Sequence, residues 1–550
     1  MKPSSAYHLQ KVTTMLMITS SPLKSNYIQM KTKILVLLMS IMMLSCSKLL
    51  NKDPDFVTPD TYYNTEEDLR NGLNGVYNRL IDPNGRMYGR GLYSYFVVSD
   101  EAFFKGISIN NIRVMVMDAS HLDIGRLWEV LYEGVNRANL LLEQVDDVNM
   151  DPKQRDAIKG ETLFLRGYYY YLLADLFGPV PLKLSSTKSP NDPYLPRAPL
   201  AEVYASVVND MQQAEKLVND IDYFSYNERI SKTGVQAILA RVFLKMAGAP
   251  LNEPSRYKDA LEYADKVIAS NKHALNLNYK QIFINHTQDI NEKKECIWEI
   301  GMYGNKVGTV DLAGSMGVEN GIECPSEAIG YSGGAMKITA KLYQLFGTAD
   351  TARRNWSIAP YRFVASGGNT VKSNFTATQI YDRNPGKWRR EYETGSKARS
   401  FTSTNFPVIR YSDVLLMKAE AENEVNGGPT QAAYDAINNV RRRAFNKPLG
   451  TANAICDIPA GQSKTQFLAT IQDERLRELC FEGIRKHDLI RWGIYVKTMN
   501  DLGTSITATA PSTYKYAANA GKNTTERDLF FPIPTTELTV NKLIKQNNGW

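Results

Sequence analysis

The sequence predicts a mainly α-helical protein, in which pairs of helices form a scaffold and a loop-rich insertion with short strands interrupts it. Two observations support this fold class. Apolar residues recur at helical spacing towards both ends of the chain, whereas residues 276–408 are rich in glycine and aromatic residues and carry fewer helical signals. Of the 550 residues, 43% are hydrophobic and 22% charged, which is typical of globular proteins and unlike disordered or multi-span membrane proteins.

Residues 1–45 form a signal region with its own composition. They contain five lysines and no acidic residue; without them the net charge falls from +7 to +2, since 60 basic and 58 acidic residues remain. Lys31 and Lys33 precede a run of eleven residues, 34–44, almost all apolar. Such a run is typical of a secretory signal and is shorter than the roughly 20 residues that span a bilayer. The nearly neutral remainder argues against a protein that binds nucleic acid.

Cys46 directly follows Leu44 and Ser45 and resembles the cysteine of a bacterial lipobox, which is diacylated and becomes the first residue of the mature protein. We therefore expect a lipid anchor at Cys46; the alternative is an ordinary signal peptide followed by an incidental cysteine. Residues 1–29 lie upstream without a pattern of their own, so we expect translation to begin at Met30. Abundant precursor peptides from residues 3–29 would contradict that expectation.

Helical periodicity recurs in six segments of the amino-terminal half: 65–80, 126–145, 156–178, 200–218, 233–248 and 257–270. Thr65 and the acidic residues after it are typical of a helix start, and Gly178 with Pro179 is typical of a helix end. The last two segments carry small residues where two helices must approach closely, at 237, 240, 260 and 264. This pairing predicts tetratricopeptide-like repeats that form an αα superhelix.

The carboxy-terminal part predicts two further helix pairs. Residues 410–425 and 431–444 are joined by a turn at Gly427–Pro429, and residues 469–483 are followed by 484–499. Between the two halves, residues 295–304 alternate as a strand does, with Trp298 in the core. We therefore divide the chain into the signal region 1–45, an amino-terminal repeat part 46–275, an insertion 276–408 and a carboxy-terminal part 409–550.

Three carboxy-terminal stretches carry a family resemblance. RYSDVLLMKAEAENE (410–424), DERLRELCFEGIRKHDLIRWG (473–493) and LFFPIPTTELTVNKLIKQNNGW (529–550) resemble signatures of the SusD/RagB family, surface lipoproteins of Bacteroidetes outer membranes. Stretches of the amino-terminal half, among them GETLFLRGYYYYLLADLFGPVPL (160–182), are similar to the family in the same order. The resemblance implies a tetratricopeptide-like fold without a cofactor. It also implies capture of oligosaccharides, or of peptides in some members, as the lid of a SusC-like TonB-dependent transporter.

Aromatic residues are the candidate ligand contacts, because their rings cover the apolar face of a sugar while polar side chains meet its hydroxyl groups. The segment 93–111 brings five candidates close together: Tyr93, Tyr95, Asp100, Phe103 and Phe104. The insertion adds six further aromatic candidates: Tyr303, Tyr331, Trp356, Tyr361, Tyr381 and Trp388. Residues 93–111 contain no tryptophan and the mature charge is nearly neutral, so peptide capture stays open beside glycan binding.

Catalytic and metal-binding alternatives have weaker support. The charged run at 474–491 has spacings suited to ion pairs on a helix surface, so we predict a structural role for it. Gly330–Gly334 matches the G-x-S-x-G pattern of esterases, but the preceding residues are poor as a buried strand. No CxxC occurs and the histidines are scattered, which predicts no metal site. A glycosidase with two carboxylates and a scaffold that binds only proteins remain the rival functions.

Overall fold

The computed structural model describes residues 30–31, 33–34, 62–82, 87–90, 92, 98–106, 111–189, 192, 194–304 and 312–550. Cys46 with its lipobox, Tyr93 and Tyr95 lie outside the described residues. Contacts between residues separate 1–62 from a unit of residues 63–550, which contains nearly all of the described residues. No described helix combines the length and the apolar character that crossing a bilayer requires.

Helices dominate the unit, which confirms the mainly α-helical prediction. The described residues form sixteen α-helices: α1 Glu66–Ile81, α2 Leu122–Gln144, α3 Pro152–Phe177, α4 Leu200–Leu217, α5 Lys232–Ala247, α6 Arg256–Ala269, α7 Tyr279–Gln288, α8 Ala340–Leu345, α9 Thr351–Ser357, α10 Tyr411–Val425, α11 Gln431–Ala444, α12 Lys464–Leu479, α13 Arg485–Arg491, α14 Tyr495–Thr509, α15 Asn519–Asn523 and α16 Thr535–Val540.

Strands are short and occur as antiparallel pairs. They are β1 Ala102–Phe104, β2 Val180–Pro181, β3 Arg197–Ala198, β4 Cys296–Ile300, β5 Met336–Ile338, β6 Tyr361–Ser366, β7 Asn369–Asn374 and β8 Phe406–Arg410. β1 pairs with β5, β2 with β3, β4 with β8 and β6 with β7. Two of these pairs join the insertion to the rest of the unit, because β1 precedes residues 276–408 in sequence and β8 continues beyond them.

The first three helices form as their sequence predicts. Thr65 caps α1 through a capping box with Asp68, and α3 ends at Phe177, directly before Gly178. α2 packs closely on α3 at Gly134, where an added Cβ atom would lie 2.6 Å from the ring of Tyr169. A larger residue at 134 would therefore push the two helices apart.

The repeat pairs are confirmed by their packing. α5 lies along α6, and all four alanines that were expected at their contact are buried: Ala237, Ala240, Ala260 and Ala264. α10 packs on α11 and also on α6, so successive pairs stack as tetratricopeptide-like repeats do. Trp298 is buried on β4 as predicted, and its ring makes edge-to-face contacts with Phe164 and Tyr168.

The predicted helix at 484–499 is divided into α13 and α14. The division falls at Gly493, whose φ of +70° is a left-handed conformation that glycine adopts without strain. The preceding helix begins five residues earlier than predicted, at Lys464, because Ser463 and Gln466 form a capping box. Both differences arise from local turn chemistry that apolar periodicity does not report.

The charged run at 474–491 is buried, so the prediction of ion pairs on a helix surface is wrong, although the structural role stands. Glu474 and Glu478 of α12 have no exposed surface. Glu478 accepts hydrogen bonds from Arg353 at 3.0 Å, Arg410 at 3.1 Å and Arg443 at 2.5 Å. Burial alone would raise the pKa of Glu478, but these arginines lower it to about 2.

Arg410 links the two halves of this buried network. Its Nη1 lies 2.7 Å from Glu295, and its Nε and Nη2 lie 2.8 and 2.7 Å from the two carboxylate oxygens of Glu482. Lys387 of the insertion also contacts Glu482, at 2.6 Å. The network therefore fastens the insertion to the carboxy-terminal repeats and holds the loops between them in place.

Candidate functional site

The segment 98–106 carries three of the predicted ligand contacts and is fixed from within the protein. β1 pairs with β5 in antiparallel register, with Ala102 opposite Ile338. Asp100 is fully buried; Arg485 donates to its two oxygens at 2.7 and 2.8 Å, and Lys341 donates at 2.6 Å. Asp100 therefore anchors the segment to α13 and has no surface for a ligand in this conformation.

The pKa values of the two neighbouring carboxyl groups of this segment, Asp100 and Glu101, are shifted in opposite directions. Burial raises the pKa of Asp100, but Arg485 and Lys341 outweigh burial and bring it well below its usual range. Burial raises the pKa of Glu101 to about 8, because its hydrogen bond from the Phe481 N–H, at 3.2 Å, does not offset desolvation. Oε1 of Glu101 is buried without a hydrogen-bond partner.

Phe103 and Phe104 are also buried, as parts of two different clusters. Phe103 lies 6.0 to 6.2 Å, between ring centroids, from three tyrosines: Tyr381, Tyr514 and Tyr516. The guanidinium of Arg113 lies 4.2 Å from the Phe104 ring and donates to Glu319, which also pairs with Arg90. Tyr514 and Tyr516 are half-buried, so they present the aromatic cluster to solvent.

Tyr303 and Tyr331 remain accessible. Tyr303 is 62% exposed, and its N–H donates to the carbonyl of Leu312. The guanidinium of Arg399 lies 3.8 Å from the centroid of the half-buried Tyr331 ring and pairs with Glu327 at 3.2 Å. An aromatic ring, a cation and an anion therefore lie side by side here, on Tyr331, Arg399 and Glu327.

Hydrogen bonds join the loops that carry these groups. Gly314 and Thr402 exchange backbone hydrogen bonds, Gly333 donates to Val318, and Met336 donates to Glu319. We call residues 98–106, 302–304, 312–334 and 398–402 the loop surface. It is a connected set of segments held on the helical scaffold, which is where binding residues usually lie.

The remaining aromatic candidates are buried. Trp388 has no exposed surface and packs edge-to-face on Phe283, 6.0 Å away. Trp356, Tyr361 and Tyr381 are each less than a tenth exposed. A ligand cannot reach these rings in this conformation, so Tyr303 and Tyr331 are the accessible members of the predicted set among the described residues.

Two residue groups were missed by sequence reasoning. Arg399 gave no signal, and Tyr514 with Tyr516 was visible only as an alternating pair of tyrosines in a stretch attributed to neither a loop nor a site. A cavity of about 1380 Å³ between α2 and α16 was also unpredicted; Trp128, Tyr132 and Glu537 are among its lining residues. None of the accessible tyrosine candidates lines it.

The esterase-like pattern does not form a nucleophile site. Ser332 is buried, and its hydroxyl donates to the carbonyl of Val318 at 2.8 Å. His487, the histidine that follows it in sequence, pairs with the buried Asp175 of α3. The four described cysteines are free and buried. One set of described side chains, His286, Cys296 and Glu299, has the composition and proximity to hold a metal ion.

The loop surface suits a polar, uncharged ligand with apolar patches. Tyrosine faces contact C–H groups, while Arg399 and Glu327 supply donors and acceptors for hydroxyl groups. The acidic and basic groups at this surface are largely paired with each other, so the surface does not select strongly for either sign of charge.

Family models match both ends of the chain. The SusD family model matches residues 361–550, and a model described as "Starch-binding associating with outer membrane" matches residues 48–244. The chain is 25% identical over 552 residues to SusD-like protein P25 of Formosa agariphila, covering 92% of this chain and 97% of the relative. It is 23% identical to the starch-binding protein SusD of Bacteroides thetaiotaomicron, covering 76% of each.

Solved structures agree with the sequence relatives. The crystal structure of a SusD homolog from Bacteroides thetaiotaomicron superposes with a TM-score of 0.82 at 28% identity, covering 90% of this chain and 98% of the homolog. The chain therefore shares the fold of this homolog over almost all of residues 63–550. Together, the two family models, the relatives that cover most of its length and this homolog show that the chain is a SusD-like protein.

Proposed function

We propose that this protein captures an oligosaccharide at its loop surface and passes it to a SusC-like TonB-dependent transporter, on which it acts as a lid. The observation that supports glycan binding is the accessibility of two tyrosines, Tyr303 and Tyr331, the second of which stacks with Arg399. Both lie on loops that buried ion pairs hold in place. Family membership supports it, since the relative SusD is named for binding starch. Loops that the protein already holds in place favour binding, because they lose little conformational entropy when a ligand binds.

The ligand contacts that we propose are Tyr303, Tyr331, Arg399 and Glu327. A tyrosine ring on a sugar face contributes an amount comparable to other aromatic contacts, about 0.5–1.5 kcal/mol. The loss of one ring therefore corresponds to a roughly three- to tenfold weaker affinity. Of the residues predicted from sequence, Asp100, Phe103 and Phe104 support the surface from beneath, and Tyr93 and Tyr95 stay candidates outside the described residues.

Substituting Tyr303→Ala and Tyr331→Ala is expected to weaken glycan binding. Retardation in native gels that contain soluble starch, or another polysaccharide from a panel of neutral and acidic glycans, measures the affinity. Each variant is expected to bind about three- to tenfold more weakly, because it loses one sugar-facing ring. Tyr223→Ala is the matched control, since Tyr223 is 56% exposed but lies on a short 3-10 helix, Ile221–Tyr223, outside the loop surface.

Three other outcomes would redirect the proposal. Unchanged affinity in both variants would exclude the loop surface as the binding site and turn attention to the cavity between α2 and α16. Retention of peptides with no retardation by any polysaccharide would favour peptide capture. Release of reducing sugars from a polysaccharide by the purified protein would favour the glycosidase alternative.

We further propose that Cys46 is lipidated and holds the protein on the outer membrane, facing outwards. The family model whose description includes association with the outer membrane supports the location. A single acyl chain binds a membrane only marginally, whereas several chains hold stably, so a diacylated cysteine keeps the protein membrane-resident.

A tagged protein purified from detergent-solubilised outer membranes is expected to bring down a large TonB-dependent barrel in near-stoichiometric amount, identified by mass spectrometry. The Cys46→Ala variant is expected to be depleted from that membrane fraction because it lacks the anchor. Recovery of the wild type without any barrel would contradict the transporter partner. Full membrane retention of the variant would contradict the anchor, independently of the partner.

A further inference from the structure

Three side chains of different chemistry meet beneath the segment that carries Tyr303. Nδ1 of His286 on α7 lies 2.8 Å from Oε2 of Glu299, and the Cys296 thiol lies 3.3 Å from the same oxygen. The candidate ligand atoms all lie within 4.8 Å of one another, and each of the three residues is at most 3% exposed. They form a buried polar cluster.

A local irregularity of β4 makes this arrangement possible. Residues three apart on a regular strand point to opposite faces, so Cys296 and Glu299 would not normally meet. The pairing of β4 with β8 shifts register twice, between Cys296 and Trp298 and again between Trp298 and Glu299. Such bulges re-aim side chains and are frequent beside functional sites. Here the irregularity leaves both side chains facing α7.

The carboxylate of Glu299 is also oriented from its far side. Nδ2 of Asn405 donates to Oε1 of Glu299 at 3.1 Å, which leaves Oε2 directed at His286 and Cys296. Oδ1 of Asn405 in turn accepts the N–H of Met302 at 2.9 Å. Outer contacts of this kind hold ligand side chains in position at metal centres in proteins.

The surroundings carry an excess of negative charge. Glu228 is half-buried and close enough to Glu299 and Asp289 for their charges to interact, and Glu292 interacts in the same way with His286 and Cys296. Arg410 is the basic group that faces the thiol, and it is already paired with Glu295, Glu478 and Glu482. A bound cation would therefore be stabilised at this position.

We propose that His286, Cys296 and Glu299 bind one Zn²⁺ ion through imidazole Nδ1, the thiolate and a carboxylate oxygen, with a fourth position for water. Sulfur, nitrogen and one carboxylate oxygen are the donor types that zinc prefers. Tetrahedral zinc separates such donors by about 3.3–3.6 Å. The two contacts to Glu299 would therefore widen by about half an ångström or less, and the sulfur–nitrogen pair, which lies within 4.8 Å, would settle at about 3.5 Å. Binding releases the thiol proton to solvent, and His286 binds as the neutral imidazole, with its ring proton on Nε2.

The ion would cross-link α7 to β4 through Glu299, which lies three residues before Met302 and four before Tyr303. It would therefore hold the base of the loop surface in place. The inference does not rest on the proposed glycan binding, because the ion contacts none of the proposed sugar ligands.

Zinc retention by the full-length protein tests the site. The protein is purified without a tag, kept reduced, stripped with a chelator, exposed to zinc chloride and desalted. We expect about one zinc per chain by elemental analysis. With Co²⁺ in place of zinc, we expect the near-ultraviolet absorption that a cobalt–thiolate bond produces. Zinc, but not Mg²⁺, is expected to raise the melting temperature.

Cys296→Ser and His286→Gln are expected to weaken zinc binding at least tenfold and to abolish the cobalt–thiolate absorption in the case of Cys296→Ser. Cys480→Ser is the matched control, since Cys480 is equally buried but lies outside the cluster. If Cys296→Ser does not fold, the Cys480→Ser protein takes its place in the test. It is expected to keep the cobalt–thiolate absorption and the rise in melting temperature with zinc. Failure to retain zinc, or equal retention by all variants, would overturn the proposal; loss of glycan binding alone would not affect it.

Discussion

The variant Arg410→Met is expected to lower the free energy of unfolding by about 3–5 kcal/mol, the range observed when one partner of a buried ion pair is removed. The residue is fully buried, and three carboxylates, Glu295, Glu478 and Glu482, depend on its guanidinium. Methionine fills much of the same volume without charge, so the expected loss is electrostatic and does not arise from a cavity. Equilibrium denaturation in urea near pH 7 measures it.

Arg70→Met is the control for Arg410→Met. Arg70 pairs with Glu66 four residues earlier on α1, and both side chains are 42% exposed. Exposed pairs contribute little, so this variant is expected to lose less than about 0.5 kcal/mol. Equal losses in the two variants would contradict a special role for the buried network. A small loss for Arg410→Met would show that Lys387, Arg353 and Arg443 suffice to neutralise the carboxylates.

The variant Glu101→Gln is expected to become more stable than the wild type as pH rises. The folded protein raises the pKa of Glu101 to about 8, so the fold favours the protonated form. Its contribution to stability is complete below the pKa of the unfolded chain, about 4.3, and is lost as pH rises towards 8. Near pH 8 the unfolded wild type ionises Glu101 freely, whereas the folded wild type must either keep the proton or bury the charge, which lowers its free energy of unfolding. Glutamine has no charge to bury, so the variant does not lose this free energy.

The difference in unfolding free energy between Glu101→Gln and the wild type is expected to shift by about 3 kcal/mol in favour of the variant between pH 5 and pH 8. Urea denaturation at both pH values measures it, and Glu67→Gln, at an exposed position of α1, controls for the general effect of removing a carboxyl group. A difference that does not change with pH would show that Glu101 titrates as an ordinary glutamate. The direction matters as much as the size, because a salt-bridged acid would give the opposite slope.

Local patterns in the sequence account for much of the scaffold. The alanines of α5 and α6 and the capping box of α1 are short-range signals, and the structure places them as predicted. The division between α13 and α14 was not predicted, because a glycine within an apolar repeat is compatible with both a continuous helix and a break. The carboxy-terminal signatures added the resemblance to the SusD/RagB family, which apolar periodicity alone does not indicate.

The candidate site was only partly predictable, for a physical reason. Asp100 has the polarity of a ligand contact, but its partner Arg485 lies 385 residues further along the chain, so the sequence gives no sign that its charge is already neutralised. The charged run of α12 shows the same problem, because a spacing of three or four residues suits exposed and buried carboxylates equally. Burial depends on distant residues such as Arg353 and Arg443.

The cluster of His286, Cys296 and Glu299 was also not visible in the sequence. Scattered histidines and the absence of a CxxC motif argued against any metal site, since sequence spacing is the usual signal. His286, Cys296 and Glu299 meet because a bulged strand packs on a helix, and neither the bulge nor the packing leaves a spacing that the sequence reveals. Exposure of Tyr303 and Tyr331 was likewise a property of the folded loops.

The ion pair between Asp100 and Arg485 has a consequence for the order in which the chain is made. Arg197 likewise contacts Asn547, 350 residues away, so several contacts of the amino-terminal half have partners close to the carboxyl terminus. A growing chain lacks those partners until synthesis is nearly complete, and contacts of such long range form slowly. We expect a chain that stops before residue 485 to leave Asp100 without its partner Arg485, and therefore to be more easily cleaved by proteases than the full-length chain. These contacts can therefore form only after nearly the whole chain has been synthesised.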